Sequence, residues 1–209
     1  MPRVYDIISF MKSKAKMLLE IAEDKGIISA KDLVAYGIPS RYLWHFYREG
    51  ILERAGRGLY YLPGQQITDN HTLVETAQRV PQGVICLLSA LRFHELTTQA
   101  PYEVWVAITH KGHKPQSEGV QLHIVRFSGL ALTAGIEEHY LEGVLVQIYS
   151  AAKTVVDCFK YRNKIGLDVA VEALREGIKK GKLPVDELWE YAKICRVTQI
   201  IYPYLEALI

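Results

Sequence analysis

Apolar positions recur three and four apart through RVYDIISFMKSKAKMLLEIAEDKG, where Met17, Leu18, Ile21 and Ala22 make one inward stripe and Gly26 ends the run. The spacing predicts a first helix there. A shorter run follows from Ser29, which with Asp32 three residues on makes a capping-box-like start, Asp standing where Glu or Gln is usual. Leu33 and Val34 are expected to turn inward, and Gly37 to permit the bend that a Cβ would resist. Pro39-Ser40 opens a third run with Ser40 as its expected N-cap. In that run Leu43, Phe46 and Tyr47 share an inward face, and Arg41, Trp44, His45 and Arg48 occupy the opposite face at i, i+3, i+4, i+7. After Gly50 the pattern changes to two short strands about Gly56-Arg57-Gly58, with Arg54 and Arg57 expected at the hairpin tip. Helix, helix, turn, helix and hairpin in this order predict a winged helix-turn-helix, which sets one helix in a DNA major groove and a basic hairpin beside it.

The polar turn-forming stretch Pro63-Gly64-Gln65-Gln66 predicts a boundary, giving domains at 1–64 and 65–209. Beyond it, Asn70 to Arg79 and Ser89 to Glu95 pattern as helices, with a short apolar piece from Val84 to Cys86 between them. EVWVAIT (103–109), LHIVRF (122–127) and VLVQIY (144–149) are rich in β-branched and aromatic residues and read as strands. The loop HKGHKPQSEG between the first two is basic and long enough to reach a partner. From Ser150 the pattern is helical to the end. Its apolar residues from 167 to 209 either complete the domain core or pack on another copy or a partner. The expected fold class is α+β: an N-terminal winged helix-turn-helix and a C-terminal mixed α/β domain with a small sheet and a helical tail.

Charge divides along the same line. Residues 1–64 hold 10 Lys+Arg against 7 Asp+Glu, hence +3, and residues 65–209 hold 15 against 16, hence −1. A module of +3 binds DNA weakly as a monomer, because each neutralised phosphate contributes through counterion release, so dimerisation or binding to adjacent repeats is implied. Lys12, Lys14 and Lys16 either neutralise phosphates or serve solubility. The three cysteines, Cys86, Cys158 and Cys195, are dispersed among apolar residues without a C-x-x-C pairing, which points to reduced buried thiols in a cytoplasm. The start MPRVYDIISF lacks signal-peptide architecture, and no apolar run reaches a membrane span, so no membrane partner is expected.

Three segments in this order, GILERAGRGLYYLPG (50–64), LLSALRFHEL (87–96) and SAAKTVVDCFKYRNKIG (150–166), resemble the AbiEi family, antitoxins of type IV toxin–antitoxin systems and related regulators of viral defence. The resemblance covers roughly residues 15 to 170. It implies a first domain that binds promoter DNA and represses its own operon. It also implies a second domain that supports binding and counters a nucleotidyltransferase-like toxin. Ser40, Arg41, Trp44, His45, Arg48, Arg54 and Arg57 then carry the DNA role.

Catalysis finds little support in the same residues. Ser89, His94 and Asp157 are the residue types of a hydrolase triad, yet no G-x-S-x-G elbow surrounds Ser89, which reads more simply as a helix cap. His110 and His113 sit among lysines that repel a metal cation, so neither a metal nor a cofactor is expected. Lys153 and Asp157, one turn apart, most simply pair with each other. There is no phosphate-binding glycine motif. Two alternatives stay open beside the repressor and antitoxin reading. One is a nuclease-related enzyme delivered to nucleic acid by its winged helix, although Glu103 is the only acid of strands 103–109 and 122–127. The other is a ligand-sensing transcription factor, which needs a cavity.

Overall fold

The computed structural model describes residues 4–63, 69–110, 112 and 120–208. Side chains are described from residue 13 on. The chain forms two compact units: Met1–Gln78 with Tyr140–Leu145, and Arg79–His139 with Val146–Ile209. The first unit thus extends past residue 64 to Gln78. Most of the basic loop 110–119 lies outside the described residues, as do the Lys12 side chain and His113.

In the first unit, α1 (Val4–Lys25) is followed by β1 (Ile27–Ser29), α2 (Ala30–Val34), α3 (Arg41–Arg48), β2 (Glu53–Gly56), β3 (Leu59–Tyr61) and α4 (His71–Arg79), of which the last residue falls to the second unit. The strands make one antiparallel sheet in the order β1-β3-β2, which is the winged helix arrangement. Leu18, Ile21 and Ala22 of α1 meet Leu33, Ile38, Leu43 and Phe46 in a single buried cluster. Gly26, at φ +73°, ends α1 in the left-handed conformation expected of a glycine there.

Three apolar positions depart from the inward reading. Met17 is exposed beside the buried Leu18. Val34, the last residue of a five-residue helix, faces solvent at 75% exposure, because one turn packs only one side and Leu33 takes it. On α3 the inward set is Tyr42, Leu43 and Phe46, whereas Tyr47 stands 43% exposed with its ring 6.0 Å from Tyr60 of the wing.

The second unit is built on a five-stranded mixed sheet in the order β6-β5-β4-β8-β7. Its strands are β4 (Val84–Ile85), β5 (Val104–Thr109), β6 (Leu122–Phe127), β7 (Ile136–Leu141) and β8 (Val144–Tyr149). β4 runs antiparallel to β5 and parallel to β8, and β5 runs parallel to β6. The tip of the β7–β8 hairpin, Tyr140–Leu145, clusters with the first unit. There Glu142 accepts a hydrogen bond from His71 at 2.8 Å. Strand β7 is the one the apolar pattern does not announce, since IEEHYL places charged residues on both faces and stays largely exposed.

The helices are α5 (Leu87–Phe93), α6 (Leu130–Thr133), α7 (Ala151–Lys160), α8 (Arg162–Ile165), α9 (Leu167–Lys179), α10 (Val185–Cys195) and α11 (Thr198–Glu206). α7 is buried from Ala152 to Phe159, which makes it the centre of the unit. Residues of the tail, among them Val169, Ala173, Leu174, Leu188, Ala192 and Ile201, enter the same core. Of the two uses open to the tail's apolar residues, completing the core is the one these residues serve. Cys86, Cys158 and Cys195 are free thiols within it. Burial pushes all three up, Cys195 to about 12, so none is a thiolate at neutral pH.

Candidate nucleic-acid interface

The turn between α2 and α3 is assembled from three directions. Ser29 donates its backbone N–H and its hydroxyl to Asp32 at 2.8 and 2.7 Å, the acidic half of the capping box. The Lys25 ammonium meets the other oxygen of the same carboxylate at 2.8 Å and so ties α1 to α2. Burial works against the Asp32 charge, but the hydrogen bonds from Lys25 and Ser29 outweigh it and hold the carboxyl below its ordinary value. Lys14 donates to the carbonyl of Gly37, whose φ of +60° turns the chain toward α3. One lysine of the amino-terminal cluster is therefore committed to the turn, and Lys16 pairs with Glu20 at 3.6 Å along α1.

α3 begins differently from its sequence reading. Ser40 has helical backbone angles, φ −58° and ψ −22°, and its side chain makes no capping bond. An N-cap needs an extended backbone to aim its oxygen at the first turn, and Pro39 has already opened that turn. The Tyr42 and Leu43 amides donate instead to the carbonyls of Pro39 and Ser40. Ser40 is left as an exposed hydroxyl at the start of the helix.

The outward face holds Arg41, Trp44, His45 and Arg48, all exposed as the spacing requires. The Arg48 guanidinium lies 5.3 Å from the centroid of the Trp44 ring, a cation–π contact. His45 Nε2 stands 3.2 Å from Glu49, which brings one carboxylate to the edge of this cationic face. Arg41, Tyr42, Trp44 and His45 line a notch of about 310 Å³.

In the wing, the register of β2 against β3 shifts between Arg54 and Gly56, a bulge that sharpens the twist of the hairpin. Arg54 is not at the tip: it lies on β2 opposite Tyr60, and its Nε donates to the carbonyl of Gly56 at 2.9 Å. The bulge explains the difference, because the extra residue lengthens that strand and leaves Arg57 and Gly58 as the turn. Gly58, at φ +75°, supplies the conformation that lets Arg57 project there.

The residues weighed for catalysis are engaged separately. The Ser89 hydroxyl accepts the Trp105 amide at 2.9 Å; Ser89 does not cap α5, whose N-cap is Cys86. His94 Nε2 donates to the Tyr149 carbonyl at 2.7 Å. Asp157 is fully buried and accepts from the Lys153 ammonium and, at 3.2 Å, from Cys195. Lys153, also fully buried, lies 4.3 Å from the centroid of the Tyr149 ring and 5.1 Å from that of Phe127. Glu103, which immediately precedes β5, accepts from His123 at 3.0 Å, and the His123 ring stacks on Trp105 with centroids 3.7 Å apart. Among the described residues no three His, Cys, Asp or Glu side chains gather as a metal site. No helix among them is long and apolar enough to cross a membrane.

The geometry defines a winged helix unit with one cationic, aromatic helix face, joined in the same chain to a mixed α/β unit. Residues 16–63 match a family model described as "Transcriptional regulator, AbiEi antitoxin". The resemblance read from the sequence is borne out over that span, which covers α1 from Lys16 through the wing. A search of the curated proteins finds no match. Among solved structures, the crystal structure of the RV2827C protein from Mycobacterium tuberculosis is similar, with a TM-score of 0.62 at 14% identity over 93% of this chain and 77% of that one. At that identity the likeness concerns the fold, and it embraces both the winged helix and the mixed unit.

Proposed function

We propose that this chain is a DNA-binding transcriptional repressor, the autoregulating antitoxin of a type IV toxin–antitoxin locus concerned with viral defence. The family match over residues 16–63 supports a role as transcriptional regulator or antitoxin. The observation that carries DNA binding is the outward face of α3, where Arg41, Trp44, His45 and Arg48 stand clear of a core that uses only Tyr42, Leu43 and Phe46. Arg57 at the wing tip extends that face. Guanidinium groups suit guanine edges and phosphates alike. With the first 64 residues at only +3, tight binding requires several protomers on neighbouring repeats of the promoter.

In this reading the chain works in the cytoplasm without a metal or cofactor, and its toxin is a nucleotidyltransferase-like protein countered without a lasting complex. Footprinting the full chain on the DNA upstream of its own gene tests the proposal. Protected repeats overlapping the promoter are expected. Absence of protection at concentrations that coat the DNA would reject it. A nucleotidyltransferase-like reading frame directly downstream is expected for the antitoxin part.

A ligand-sensing regulator is the second reading, and one feature favours it. The second unit has an open cavity of about 420 Å³ whose lining includes Phe93, His94, Glu137, Lys182 and Glu187. A small charged metabolite that released the footprint would favour this reading.

A further inference from the structure

Resting on the DNA-binding reading, one residue of α3 calls for a partner that arginines do not supply. Trp44 is 55% exposed at the middle of a helix whose other face is packed. More than half of the Trp44 surface is thus left in water beside cations. Arg48 attends the ring by its cation–π contact, while Arg41, Tyr42 and His45 line a notch with it. Tyr42, a residue only 8% exposed, also lines that notch. Arg41 in the notch and Arg48 over the indole match an anionic partner, and the notch itself suits something apolar.

The major groove offers one apolar group of that kind, the C5-methyl of thymine. We infer that Trp44 is a specificity-determining residue, packing its indole in the notch against a thymine methyl in the operator. Arg41 lies one turn earlier on the same face, a rise of about 4.5 Å, so the thymine falls roughly one to two base steps from the guanine that Arg41 reads. Arg48, drawn to the indole, meets the phosphate beside that thymine. The division on α3 is then an apolar reader flanked by a base-reading arginine and a phosphate-holding one.

The test uses the full chain and DNA selected by it from a random pool. Each thymine of the selected site is replaced in turn by deoxyuridine, which removes the methyl group alone. At one position the wild type should lose roughly fourfold in affinity, the worth of one buried methyl. Trp44→Ala should bind the thymine and uracil duplexes equally, and Trp44→Phe should keep part of the difference. Because Trp44 is exposed, neither variant should change the melting temperature. Uniform tolerance of uracil by the wild type would overturn the inference, as would an undiminished uracil penalty in Trp44→Ala. If Trp44→Ala instead lost self-association in sedimentation while keeping the uracil penalty, Trp44 would belong to a protein interface and the inference would fall. Failure of the wild type to bind any duplex would reject the DNA-binding reading itself, a distinct outcome.

Discussion

Cations on two helices of this chain meet opposite environments. On α3 the arginines face solvent, and the fold takes only the three residues of the other side. On α7 every residue from Ala152 to Phe159 is buried, so Lys153 has no solvent to reach. Its ammonium is satisfied by Asp157 and by the faces of Tyr149 and Phe127, and Asp157 takes its second bond from Cys195. The segment 150–166 that carries part of the family resemblance therefore owes its charged pair to the fold. The contrast teaches that a charged residue on an amphipathic helix is a candidate for function when its face is left over by packing. A charge on a helix covered all round is held by necessity.

The comparison breaks most sharply at Asp157. Asp157→Ala leaves the Lys153 ammonium buried and unpaired and should destabilise the chain by about 3–5 kcal/mol, read as a large fall in melting temperature. Replacing both partners, Lys153→Met with Asp157→Leu, should recover most of that loss, because two apolar side chains of similar volume carry no desolvation penalty. A single Asp157→Ala variant that melted like the wild type would show that water reaches α7 and that the pair is not structural.

On α3 the expected losses are in binding, with melting unchanged. Arg41→Ala should cost roughly 1–3 kcal/mol on the operator and little on scrambled DNA, since a base-edge contact disappears. Equal losses on both DNAs would remove α3 from the reading role and leave a general clamp. Arg57→Ala should weaken both DNAs alike, and binding isotherms at several salt concentrations should show the salt slope lowered by about one unit. If Arg57→Ala left the slope unchanged, the wing tip would not hold a phosphate.

Much of the first unit could be read from spacing, because each of its elements buries a single face. The outward quartet of α3 follows from the i, i+3, i+4, i+7 pattern, and between α1 and the wing the left-handed positions fall at Gly26, Gly37, Gly50 and Gly58. The errors there are local: Ser40 lost its capping role because Pro39 opens the first turn one residue earlier, Val34 sits on a helix too short for two inward positions, and Arg54 was displaced from the tip by a bulge no residue type announces. The second unit was less legible. Strand β7 alternates too poorly to be seen, and its pairing with β8 depends on a hairpin whose two-residue turn, Glu142-Gly143, is visible only once both strands are known. The i, i+4 spacing of Lys153 and Asp157 suggested their pairing, whereas the rings and the thiol around them come from distant segments. The notch at Trp44 is likewise a property of packing: the spacing places the indole outward but does not show that Tyr42 helps to wall the space beside it.

The smallest effect should separate the two units by pH. His94 in the second unit is held below its ordinary value of 6.5, first by burial and further by His139 and Lys182 nearby, against the opposing pull of the Tyr149 carbonyl and Glu137. The unfolded chain then binds a proton that the folded one refuses. The stability from neutral His94 is complete above pH 6.5 and is lost as pH falls through the depressed folded value. Asp32 in the first unit is also depressed, but from an ordinary value of 3.8, so its contribution persists to lower pH and is lost only below that range. Between about pH 6.5 and 4 only the second unit should weaken through these two groups. Hydrogen exchange resolved by peptide is the suitable measurement: amides of β4 and β5 should lose protection on acidification while those of β1 and β3 keep theirs. His94→Gln retains a donor for the Tyr149 carbonyl and removes the titration, so its β4 and β5 amides should stay protected through the same window. If they deprotected as in the wild type, another group would be responsible, and His94 would be a neutral hydrogen-bond donor and nothing more.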